Sequence, residues 1–187
     1  MLPLKGLRVS AASAIQDRRC IRFNGTSAAA SLPISAWDLT TCCAVCTPFA
    51  SGCSGGWPAE AFRWFVEAGV VTGGPFSAVP PPLAGRLRPP TSLPARDKHF
   101  GRRLSAFSLD NAAGSYSAGV YAHTSGEYVG GHAVRIVGWG VEGGVPFWTA
   151  GNSWGAAWGE KGFFRIRRNT NEVNFESFIV TASAYKD

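Results

Sequence analysis

"GGHAVRIVGWGVEGGVPFWTAGN", residues 130–152, decides the reading of this chain. Two runs alternating apolar with other residues flank "VEGG", whose glycines suit a turn with positive φ. The stretch predicts an antiparallel hairpin. His132 and Asn152 each lie ten residues from Glu142, the expected centre of the turn. A regular register then sets them opposite one another, with Cα atoms about 4.5–5.5 Å apart, and a bulge shifts this by one residue. An asparagine amide beside an imidazole accepts a ring N–H and fixes the ring while staying neutral. That neutrality suits a cysteine nucleophile, because a thiolate–imidazolium pair already carries its own charges. A structural hairpin with a chance His facing an Asn fits the same residues.

Around the hairpin, composition narrows the class. The 187 residues allow one good core or two small ones packed together, and 45% apolar against 16% charged residues is globular. With 23 glycines and seven tryptophans, tight turns around large aromatic anchors point away from a helical bundle. The net charge of +6 gathers partly in "RDKHFGRR" (96–103), without aromatic interleaving or a nucleic-acid module. That segment reads as a solvated basic run, and nucleic acid is not an expected partner.

Four of the five cysteines, Cys42, Cys43, Cys46 and Cys53, lie within twelve residues, which suggests a disulfide-bonded, secreted or lumenal module. "MLPLKGLRVSAASAI" lacks the apolar run of a signal peptide, so sequence upstream is expected to be missing. No stretch is long enough to span a bilayer. Cys43-x-x-Cys46 offers two ligands only, which is no zinc site, and neither a metal nor a cofactor is expected.

The front half reads as helical. Residues 7–19 have helical spacing, "SAWDLTTCC" (35–43) opens with a serine cap, and "PAEAFRWFVEAG" (58–69) is the clearest helix. In the last, Pro58 sits in the first turn, Phe62, Phe65 and Val66 share a face, and Gly69 ends it. "NGTS" (24–27) is a turn and a glycosylation sequon. Residues 75–94 hold seven of the twelve prolines and separate this front from a back half of antiparallel strands. The expected class is α+β.

Three motifs together, "CCAVC…GCSGGWPAEAF", "GGHAVRIVGWG" and "GNSWGAAWGEKGFFRI", resemble the papain family of cysteine peptidases, and its cathepsin B branch most closely. The resemblance implies a papain-like two-lobe fold: a helical left lobe (1–74) against an incomplete antiparallel β-barrel right lobe (97–187). Residues 75–96 stand in place of the occluding loop, and without His or Cys in 75–94 exopeptidase activity is not expected. His132 matches the catalytic histidine, Asn152 the residue that orients it, and Trp154 the indole shielding the pair from water. Gly55 and Gly56 match the glycines whose backbone pairs with substrate. Ala133 would line the pocket for the side chain two positions before the scissile bond. Phe178 would replace that pocket's acidic floor and favour apolar side chains. Cys43 and Cys46 match a local disulfide pair.

The nucleophile departs from the pattern. The family carries it at the tip of the central helix, and matching "AASAIQDRRC" to that helix puts Gly6 there, with the oxyanion-hole glutamine falling before Met1. Ser10 and Ser13 point off the helix body rather than its tip. The family's helix and "GPV" strand between Asp110 and Gly119 are also missing. By resemblance the function is thiol-dependent hydrolysis of peptide bonds, with peptides or proteins as substrates, cystatin-type inhibitors as partners, a monomeric state, and a lysosomal or secreted location. This chain itself is expected to be inactive. A pseudopeptidase binding peptides or inhibitors and a degenerate gene remnant are the alternatives.

Overall fold

The computed structural model describes residues 5–22, 33–46, 56–70, 103–110 and 113–181. The sequon at 24–27, Gly55 and the proline-rich 75–96 lie outside them.

Helix α1, Lys5–Arg22, is a turn longer than its expected span. Ala11, Ala14 and Ile15 are at most 1% exposed, so one stripe at helical spacing is fully covered. Helix α2, Ala36–Thr41, starts where Ser35 accepts the Asp38 N–H at 3.2 Å, the serine cap expected there. Helix α3, Pro58–Glu67, buries Pro58, Ala61, Phe62 and Phe65. Gly69 ends it at φ 76°, a conformation that disfavours any side chain with a Cβ. These helices close on one cluster with Ile34, Leu39, Cys43, Cys46 and Val70.

The back half forms an open six-stranded sheet among the described residues: β1 (Arg103–Asp110), β2 (Val120–Tyr121), β3 (Tyr128–Glu142), β4 (Val145–Gly151), β5 (Phe163–Arg167) and β6 (Ile179–Val180), ordered β2-β5-β4-β3-β1-β6. The α+β class holds. The pairing is antiparallel except at one edge, where β2 runs parallel to β5, which the alternating pattern did not predict. A parallel neighbour needs a long connection, and the whole β3–β4 hairpin supplies it. Tyr116 pins that edge, its hydroxyl donating to Gly119 O at 2.7 Å and accepting the Arg165 N–H at 3.2 Å.

The hairpin forms, with a register different from the symmetric one. Glu142 pairs with Val145, so the turn is Gly143-Gly144, at φ 55° and 82°, rather than centred on Glu142. A bulge between Ile136 and Gly138 shifts the pairing again, to Arg135↔Gly151 at the last rung. Continued one step at a time, that register would set His132 opposite Trp154. Asn152 leaves the ladder instead, its N–H donating to Gly162 O at 2.9 Å.

Val134, Ile136, Ala150, Phe164, Ile166 and Phe175 make a second, aromatic-rich cluster. Strand β6 touches both cores. Ile179 packs on the second and Val180 on the first, as the two-residue alternation of a strand requires. No helix of the described residues is long and apolar enough to cross a membrane.

Candidate active site

His132 sits in the interior of the sheet, opposite Phe107 of β1, and is only 8% exposed. Its Nε2 lies 2.9 Å from Asn152 Oδ1. The same oxygen accepts the Ser153 N–H at 2.7 Å, which fixes the amide with its oxygen toward the ring. An oxygen has no proton to give, so Nε2 carries the hydrogen and Nδ1 is the basic atom of the neutral ring. Asn152 can do this because its chain has left the ladder; its side chain reaches His132 along a diagonal rather than across a rung.

Trp154 stacks on the imidazole at 5.1 Å between centroids and 27° between planes. Trp158 meets Trp154 edge-on at 4.9 Å and also contacts Tyr116 and Phe164, tying the histidine's cover to the aromatic core. Burial pushes the His132 pKa below its ordinary value, and the hydrogen bond to Asn152 offsets part of that. The ring is therefore neutral at neutral pH, in one tautomer and one orientation. Those are the properties of a general base.

Helix α1 docks beside this pair through two contacts. Ser10 Oγ donates to Ala133 O at 2.9 Å, and Arg135 Nη1 bonds Asp17 Oδ2 at 2.9 Å. Ala133 and Arg135 alternate with His132, Val134 and Ile136 along β3, so one face of the strand meets the helix and the other the aromatic core. Ser10 and Asp17 were not singled out as positioning residues from sequence. The available signal was a small polar residue within the apolar stripe of α1.

The remaining site residues fall as follows. Gly6 is the second residue of α1. Gly56 is half-buried and precedes Trp57, whose N–H donates to Cys46 O at 2.9 Å; Gly55 is outside the described residues. Ala133 is 7% exposed. Phe178 stands 66% exposed in the turn before β6, so its side chain is mostly in solvent. Cys43 and Cys46 form a disulfide, and Cys20 is an exposed thiol. Among the described residues no group of three His, Cys, Asp or Glu could hold a metal ion.

Comparison with known proteins agrees with this geometry. The family model described as "Papain family cysteine protease" matches residues 7–86 and 103–183. A "Gut-specific cysteine proteinase" of Caenorhabditis elegans is 37% identical over 218 residues, covering 93% of this chain and 64% of that protein. "Cathepsin B-like cysteine proteinase 5" of the same organism is 36% identical over 227 residues, covering 91% and 64%. The chain thus spans less than two thirds of the length of these curated relatives. Among solved structures, procathepsin B S9 from Trypanosoma congolense superposes with a TM-score of 0.79 at 30% identity, over 95% of this chain and 67% of that one. Digestive procathepsin L 3 of Tenebrio molitor, at 22% identity and a TM-score of 0.72, shares the fold. The matched family model, the cathepsin B-like relatives and the fold converge: the chain belongs to the papain family of cysteine proteases, on its cathepsin B-like side.

Proposed function

We propose that this chain is a non-hydrolytic member of its family that keeps the histidine–asparagine pair and a peptide-facing surface. The reading rests on Gly6, the second residue of α1, which by resemblance falls where the family's central helix carries its nucleophile. Glycine has no side chain to give to a carbonyl carbon. The imidazole of His132 is oriented and basic, and in the family's chemistry its Nδ1 takes the proton of the attacking thiol. With Gly6 in that place there is no thiol for it to deprotonate.

Peptides or proteins are the ligand class that the family membership supports, with cystatin-type inhibitors as binding partners of the same cleft. The two cores correspond on this reading to a helical lobe (1–74) and a β-rich lobe (97–187). The Cys43–Cys46 disulfide suits an oxidising compartment, lysosomal or extracellular.

The test is direct. Dipeptidyl fluorogenic substrates should not be turned over, and an epoxide that alkylates active-site thiolates should leave the mass unchanged. Stoichiometric labelling at one cysteine would show that a nucleophile exists. Peptide recognition is a separate measurement: a peptide aldehyde should bind the wild-type chain reversibly and lose affinity in Gly56→Arg. Equal binding to both places the contact elsewhere.

A further inference from the structure

Beside Asn152, a cleft of about 230 Å³ opens between α1, Arg135 of β3 and the segment 151–163. Ser10, Ser13, Arg135, Asn152, Ser153 and Lys161 contribute its polar lining, and none of the described residues that line it is acidic. Two of these side chains are cations. Arg135 spends Nη1 on Asp17, while its Nη2 is directed along Gly151, where an added Cβ would lie 3.7 Å from it. Asp17 therefore balances one charge, and Lys161 leaves the lining positive.

Ser153 supplies an independent observation. Its Oγ is buried and has no hydrogen-bond partner among the described residues, although its backbone N–H is used on Asn152. A buried hydroxyl without a partner is destabilising, and such groups are rare unless something not in the chain satisfies them. The volume is enough for a small ion with several waters, at about 30 Å³ of liquid volume per water.

We infer that this cleft binds a small oxyanion, held by Lys161 and Arg135 and accepting a hydrogen bond from the Ser153 hydroxyl. The shared chemistry is a cluster of two or more oxygens bearing negative charge, as in a carboxylate or an inorganic phosphate. Arginine meets either with a planar fork and lysine with a point charge. Asn152 belongs to the cleft and to the histidine pair at once, so its side-chain amide reports occupancy. The inference does not depend on whether the chain hydrolyses peptides.

The experiment titrates the full chain with inorganic phosphate and separately with acetate, at constant ionic strength set by chloride, following the Asn152 side-chain amide and the Ser153 backbone amide by NMR. Saturable shifts at both groups are expected with at least one anion. Phosphate alone marks a tetrahedral site, acetate alone a planar one, and each supports the inference. Lys161→Asn, which suits the positive φ of 57° at that position, should weaken binding by about tenfold, the scale of one charge-assisted bond. Ser153→Ala should also weaken binding while leaving the melting temperature unchanged or raised, which a purely structural hydroxyl would not do. Shifts that grow linearly with salt, or affinity unchanged in both variants, overturn the inference.

Discussion

The hydroxyl of Ser10, on the central helix, donates to the backbone carbonyl of Ala133, the residue that follows His132, at 2.9 Å. A contact across 123 residues thereby fixes the height of the histidine's strand against the helix. Ser10→Ala should cost about 0.5–1.5 kcal/mol, the net value of such a bond. In urea this is a lower midpoint with an unchanged slope. An unchanged midpoint would mean that this bond adds nothing to the helix's apolar packing and its ion pair with Arg135.

His132 makes stability depend on mildly acid pH. Burial holds its folded-state pKa below the ordinary 6.5, so protonation favours the unfolded chain. Its contribution is complete above that ordinary value, and falls away as the pH drops toward and through the folded-state value. Unfolding free energies measured between about pH 7 and 5 should decline for the wild type relative to His132→Gln. Asn152→Ala removes the bond that opposes burial, so the ring's pKa should fall further, read from its Cε1 proton by NMR. A rise in that variant would contradict the opposition of burial and hydrogen bonding at this ring.

Glu176 acts in a lower window. Burial works to raise its pKa, but hydrogen bonds from Trp148 Nε1 and from the Asn169 and Asn171 N–H groups, with the charge of Arg168, outweigh it and leave it lowered. A depressed carboxyl stabilises above its unfolded value and loses that contribution as the pH falls through the folded one. Glu176→Gln should lower the melting temperature at neutral pH by about 2–4 °C, and the difference should shrink in acid. Equal melting temperatures at neutral pH would show that the loop 168–177 holds its shape without the charge.

The Cys43–Cys46 disulfide closes a loop of sequence separation three, and both residues are at most 3% exposed. Loop-closure entropy for so short a ring is about 2 kcal/mol. Replacing both by alanine should cost about that much in a denaturant titration, with the helical core otherwise intact by circular dichroism. A loss of all helical signal would mean that the bridge is a condition of folding rather than an increment to it.

How far the sequence carries depends on the physics each residue obeys. Ser35, Pro58 and Gly69 act locally, through a cap, a fixed φ and a positive φ, and each stands where its residue type predicts. The nearness of His132 and Asn152 was legible from the hairpin's symmetry, although the actual route differs. Neither the turn's placement on Gly143-Gly144, which carries the register three residues off the symmetric one, nor the bulge beside Val137, which returns one of them, leaves a mark in the alternation of apolar residues. Strand β6 is two residues long, too short for any periodicity, and its partner β1 is some seventy positions away. The cleft beside Asn152 was illegible for the same reason, since its walls come from α1, Arg135 and 151–163. Phe178 was assigned by resemblance alone, and it stands exposed before β6.

Strand β6 also sets the order in which this molecule can be finished during synthesis. Ile179 and Val180 each complete a different core, and Arg18 of the first helix bonds Thr181 immediately after them. A ribosome releasing the chain from its amino end exposes α1 long before its last partners exist. The helix must wait through the translation of 163 residues for that contact. Topologies dominated by such distant pairings fold slowly, because chain closure precedes any contact that rewards it. Among the described residues, the buried partners of the apolar stripe of Ala11, Ala14 and Ile15 are all made by Val70. The contacts of Ser10 with Ala133 and of Arg18 with Thr181 come later, so that flank of the helix is where a holding chaperone would bind.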